Sequence, residues 1–122
     1  MNMLNVVYYV RSADGISPIK EDLEKIKKDS IKAKIKAAIA HVAERNGRAS
    51  YVISKNIRGF HFSEIRIKFP RNLYRVLYFI WRDRKLILLH MFVKQEGEET
   101  PVKELSAAEK RYADFISHAN SY

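Results

Sequence analysis

Residues 59–94 read GFHFSEIRIKFPRNLYRVLYFIWRDRKLILLHMFVK, and the side-chain alternation in this stretch decides the fold. Ile65, Ile67 and Phe69 point one way, while Glu64, Arg66 and Lys68 point the other. A period of two marks an antiparallel strand with one face in a core and the other in water. Pro70-Arg71-Asn72 supplies a turn, and LYRVLYFIW (73–81) follows as a second strand. It is apolar on both faces, which predicts a central place in the sheet. Arg82-Asp83-Arg84 turns the chain into KLILLHMFVK (85–94), the third strand of a meander. Arg66, Arg75 and Lys94 then recur along one sheet, a pattern suited to binding phosphate.

On the N-terminal side, LNVVYYV (4–10) is a short β-branched and aromatic run, read as a strand and closed by Asp14-Gly15. Ser17-Pro18 is a helix cap followed by proline at the first helical position. Ile19, Leu23 and Ile26 carry that helix, and Asp29-Ser30 breaks it and starts another. The second helix has an apolar stripe of Ile31, Ile35, Ala38, Ile39 and Val42, stopped by Asn46-Gly47. The lysines at 25, 27, 28, 32, 34 and 36 fall mostly off the stripe and read first as a solvated face. Residues 48–58 form a connection or a short edge strand. Beyond Lys94 comes an acidic loop (96–99), then Thr100-Pro101 as a second cap-plus-proline signal. A C-terminal helix follows, with Leu105, Ala108, Tyr112 and Phe115 on its buried side. The order strand, two helices, three or four antiparallel strands, helix predicts an α+β fold on one small twisted sheet.

The chain has 122 residues, enough for one domain with one real core. No apolar run approaches the ~20 residues of a membrane span. The N-terminus lacks the basic region and cleavage site of a secretory signal. There is no cysteine, which excludes disulfides and cysteine catalysis and fits a reducing cytoplasm. The net charge is +9 and uneven: residues 1–91 carry 19 Lys/Arg against 8 Asp/Glu, residues 92–122 only 4 against 6. A basic body suggests a polyanionic partner, nucleic acid first, although a merely soluble basic surface explains the charge equally well.

Arg75 stands among residues that favour burial, where a charge is costly unless paired or facing a cleft. Either it pairs with Glu64 on the neighbouring strand, or it lies at the floor of a site aimed at phosphate, which its fixed charge and fork geometry suit. Arg66 and Lys94 are weaker evidence singly. Together with Arg75 they would stabilise the added negative charge of a pentacoordinate phosphorane. His90 shares its face with Phe92 and Lys94 and is a candidate acid or base, though a lone strand histidine is more often a core residue. His61, in register with Ile65 and Ile67, is expected at the core or the sheet edge. No metal-ligand spacing, Walker loop, nucleophile elbow or glycine fingerprint is present, so no metal or cofactor is expected.

EIRIKF, LYRVLYFI and KLILLHMFVK, followed by an acidic loop, TP and a helix containing AEKR, together resemble the RelE/HigB superfamily. These are toxins of type II toxin–antitoxin systems, and the likeness is greatest to the phage-derived HigB-like branch. It runs from Leu4 to about Phe115. It implies a RelE-like β-α-α-β-β-β-α domain over 1–122 and a cytoplasmic, ribosome-dependent mRNA endoribonuclease. In such an enzyme the 2′-hydroxyl attacks the adjacent phosphate without metal or cofactor. Carried over, Arg66, Arg75 and Lys94 are the catalytic cations, and Lys68, Arg71, Lys55 and Arg58 are RNA contacts. The implied partners are mRNA, the ribosome and a cognate antitoxin, often with a helix-turn-helix domain. Two departures stand out: Gln95 replaces the second of a usual lysine pair, and the loop beyond it (Glu96, Glu98, Glu99) is acidic rather than mixed; the tyrosine or histidine that some relatives place near the C-terminus as acid or base also has no clear equivalent. A same-fold toxin directed at DNA gyrase, or a binding module keeping only the antitoxin interface, is the alternative.

Overall fold

A computed structural model of the chain describes residues 3–46, 54–94 and 100–119. The elements are β1 (Asn5–Tyr8), α1 (Pro18–Glu24), α2 (Asp29–Glu44), β2 (Ser54–Asn56), β3 (Ser63–Lys68), β4 (Leu73–Trp81), β5 (Lys85–Lys94) and α3 (Val102–Ser117). The sheet order is β1-β5-β4-β3-β2, so β4 lies at the centre, as its two apolar faces require. The fold is α+β. The sheet is mixed rather than purely antiparallel, because β1 pairs parallel to β5, from Asn5 opposite Lys85 to Tyr8 opposite Leu88. The intervening helices supply the crossover that a parallel pair needs.

Helices cover both faces of the sheet, and each face has its own core. Ile19, Leu23, Ile35, Ile39 and Val42 of α1 and α2 pack with Ile65, Ile67, Val76, Leu86, Leu88 and Met91. On the other face Ala108 and Phe115 of α3 pack with Tyr9, Phe62, Leu77, Phe79, Ile87, Leu89 and Phe92. The second core overturns one expectation. The face carrying Glu64, Arg66 and Lys68 is not half-exposed, and Glu64 is fully buried. Lys68, at the strand end, stays exposed.

Local signals explain the element boundaries. Ser17 accepts a hydrogen bond from the Lys20 amide, and Pro18 opens α1. The break between helices comes slightly before Asp29, over residues 25–28, and Asp29 opens α2 where its charge complements the helix dipole. Asn46 ends α2 at φ 56°, a left-handed position that asparagine tolerates. The turn 82–84 places Asp83 and Arg84 in the same region, at φ 59° and 58°. The Arg84 guanidinium donates to the Asn46 side chain at 2.7 Å, tying the hairpin to the end of α2. His61 sits on the surface at the entrance to β3 rather than facing the α1–α2 core, its ring stacked on Tyr112 of α3.

A β-bulge sets the face of His90. Leu77 pairs with His90, but Tyr78 pairs with Leu88, so Leu89 is the extra residue. Leu86 and Leu88 face α1 and α2, and strict alternation would send His90 there too. The bulge turns both Leu89 and His90 toward α3.

Candidate functional site

The register of the three central strands gathers the sequence-derived cations. Arg66 lies opposite Arg75, and Arg75 opposite Phe92, while Lys94 lies opposite Leu73. Arg66, Arg75 and Lys94 therefore share the α3 face at the end of the sheet where β3 and β5 finish and β4 begins. His90 lies on the same face, one pleat further in.

Glu64 is the anion of this cluster. Its Oε2 is 3.2 Å from Arg75 Nη1, and its Oε1 is 3.7 Å from Arg66 Nε. Thr100 joins them: Arg75 Nη1 donates to Thr100 Oγ1 at 2.9 Å, and that hydroxyl donates to Glu64 Oε2 at 3.4 Å. The cap signal Thr100-Pro101 thus works differently from its sequence reading. Pro101 occupies the cap position without a side-chain bond, and the Thr100 hydroxyl serves the buried ion pair. Arg75 and Lys94 are buried, at 6% and 8% exposure, whereas the Arg66 side chain is 22% exposed. Of the two sequence readings of Arg75, the ion pair with Glu64 is present in the structure. Within the described residues the group sets three cations against one carboxylate. The Arg66 guanidinium, reachable at the rim beside two buried cations, suits an anionic ligand there.

His90 docks α3. Its Nδ1 accepts from Arg111 Nη1 at 2.8 Å, and the same nitrogen of Arg111 donates to the Leu89 carbonyl at 2.9 Å. An accepting Nδ1 fixes the tautomer, leaving the proton on Nε2, which donates to Glu104 Oε1 at 2.7 Å. Burial pushes the imidazole pKa down, Glu104 opposes that, and the Arg111 charge adds to it. Both ring nitrogens are thus committed to α3, which weakens the case for His90 as acid or base. The neutral form is favoured in the folded chain, so its stabilising effect is complete above the unfolded histidine value, about 6.5. It is lost as pH falls below that value toward the lowered folded pKa. Unfolding midpoints in denaturant are therefore expected to rise between pH 5 and 7.5, and His90→Gln should flatten that slope. An unchanged slope in the variant would remove His90 from the account.

A second link fixes the far end of α3. Asp114 accepts from the Tyr9 hydroxyl at 2.6 Å and from the Ser12 amide at 3.0 Å, and these bonds with the Ser12 hydroxyl lower its pKa to about 2. Sequence reasoning missed the roles of Glu104, Arg111, Asp114 and Thr100, polar groups on or beside a helix read for its apolar stripe, its Thr-Pro start and its AEKR run. The remaining candidates disperse. Arg71 is exposed in the turn between β3 and β4, and Arg58 is exposed before Gly59. The Lys55 backbone pairs with Glu64, but its side chain, Gln95 and the acidic loop 96–99 lie outside the described residues. Among the described residues no histidine or acidic group is clustered to hold a metal ion, and no helix is long and apolar enough to cross a membrane.

Comparison with known proteins places this geometry in a family. No curated protein matches the chain. A family model described as phage derived protein Gp49-like (DUF891) matches residues 21–113, which span the second half of α1, all of α2, the whole meander and most of α3. The chain belongs to this Gp49-like phage-derived family, a family related to the toxins of toxin–antitoxin systems.

Proposed function

We propose that the chain is the toxin of a type II toxin–antitoxin system, of the RelE/HigB superfamily, and cleaves mRNA on the ribosome in the cytoplasm. The observation that carries the reading is the convergence of Arg66, Arg75 and Lys94 on one sheet face, with the Arg66 side chain reachable at its rim. In the proposed reaction a ribose 2′-oxygen bonds to the neighbouring phosphorus and the bond from phosphorus to the 5′-oxygen breaks. The products are a 2′,3′-cyclic phosphate and a 5′-hydroxyl, and the proton of the 2′-hydroxyl passes to the leaving oxygen through water or ribosomal RNA. Arg66, the most exposed of the three, contacts the phosphate. Arg75 and Lys94 act from beneath, where their charge is poorly screened. Lys68 and Arg71, at the same end of the sheet, extend the positive surface along the RNA, and an antitoxin is the expected partner.

Burial of Arg75 and Lys94 favours one other reading, a binding module that keeps the partner surface without cleaving RNA. Induced expression in a bacterium separates the two. The wild-type chain should arrest growth and create new mRNA 5′ ends carrying hydroxyl groups. Arg66→Ala should lower the cleavage rate by about 10²-fold, the usual cost of removing one group that stabilises transition-state charge. Equal patterns of 5′ ends in wild type and variant would defeat the nuclease reading.

A further inference from the structure

On the face opposite the cationic cluster, the short α1 leaves part of the sheet uncovered. The link between α1 and α2 bends over the ends of β4 and β5 and bounds an open groove of about 610 Å³. Tyr74 and Val93, directly opposed on adjacent strands, form its floor, and Ile26 and Ile31 add apolar walls. Val93 is 45% exposed, although it lies in a long, otherwise buried strand. The rim is Lys25, Lys27 and Lys28, all exposed, with Asp22 as the only acidic lining residue among the described residues.

An apolar floor inside a lysine rim is a two-part recognition surface. The rim alone would suit any polyanion, RNA included. The floor argues against RNA, because a β-branched residue presented to solvent gives a phosphate backbone nothing to bind. Its aromatic lining is the half-buried Tyr74, edge-on to Phe69, and the buried Phe92, not the run of open ring faces on which unpaired bases stack. Leucine-like side chains would bury this floor, and carboxylates flanking them would meet the lysines. We infer that the groove between the α1–α2 link and the ends of β4 and β5 docks an acidic amphipathic segment of a partner protein. The inference deepens the toxin–antitoxin reading, on which it rests for the source of such a segment. The groove opens on the α1–α2 face, so a docked segment would leave the Arg66 face uncovered.

The test is fluorescence anisotropy on the full chain with a labelled helical peptide of about 16 residues, roughly 24 Å long. The peptide carries leucines at i, i+3, i+4 and i+7, with glutamates beside them. Its controls are a composition-matched isomer with the leucines scattered, and a single-stranded RNA of equal length. The patterned peptide should bind about tenfold tighter than its isomer. Val93→Asp and the pair Lys25→Glu/Lys28→Glu should each weaken it about tenfold. Both variants alter exposed side chains, and an unchanged thermal midpoint will confirm that they fold. Equal binding of the two peptides, no binding, or indifference to Val93→Asp would overturn the inference. RNA binding lost on Val93→Asp would also overturn it and make the groove a nucleic-acid surface. Peptide binding is scored without cleavage, so intact docking with no nuclease activity would sink the nuclease reading and leave this one standing.

Discussion

Arg75→Ala should lower the unfolding free energy by about 3–5 kcal/mol, the range seen when one partner of a buried ion pair is removed. The size follows from what remains. Glu64 is fully buried, and its polar contacts among the described residues are Arg75 Nη1 at 3.2 Å, Arg66 Nε at 3.7 Å and the Thr100 hydroxyl at 3.4 Å. Without Arg75 the carboxylate keeps one distant cation and one weak hydroxyl contact, too little to offset the loss of water. The double variant Glu64→Leu/Arg75→Met should recover most of the loss, because apolar replacement of a whole buried pair is often neutral. Urea unfolding followed by the fluorescence of Trp81 reads both. A loss under about 1 kcal/mol for Arg75→Ala would mean that Glu64 is hydrated and that the pair is a surface contact. The result also governs how loss of function in Arg75 variants is read. Arg66→Ala is the cleaner probe of chemistry, since Arg66 is the more exposed arginine and the more distant partner of Glu64.

The pair also shows where the sequence stops being legible. Alternation along 64–69 reports that two faces differ in polarity, but not what covers the polar one. Glu64, Arg66 and Lys68 look like a solvated face because local pattern cannot see a helix that arrives about 40 residues later. The hint was there in Arg75, a charge inside an apolar strand, which raised the pairing with Glu64 as one of two readings. Strand order follows similar logic. The central place of β4 was readable from its two apolar faces. The parallel pairing of β1 was not, because a four-residue strand, Asn-Val-Val-Tyr, suits either direction. The bulge at Leu89 and His90 was equally hidden, since LILLHMF carries no glycine to mark it. The cations themselves were legible because residues near the same level of adjacent strands share a face whatever covers it.

Phe115→Ala should cost about 3–5 kcal/mol and loosen α3 from the sheet. Phe115 is fully buried, and its ring lies edge-on to Phe79 at 5.2 Å and to Trp81 at 5.5 Å. With Ala108 it supplies the fully buried apolar contact of α3, since the other residues on that side are partly exposed. Truncation would leave a cavity lined by rings that cannot close inward, because β4 and β5 hold them from the sheet side. The consequence reaches the charged cluster. Glu104 and Arg111 clasp His90 from α3, and Thr100, just before that helix, bridges Arg75 to Glu64. A helix held by its polar contacts alone would let water reach Glu64, so exchange of backbone amides in α3 should accelerate more than that of α2. Trp81 is the only tryptophan, and losing an aromatic neighbour at 5.5 Å should shift its emission to the red. Equal exchange in the two helices, with a stability loss under about 2 kcal/mol, would show that the His90 clasp and the Asp114 bonds dock α3 without its aromatic anchor.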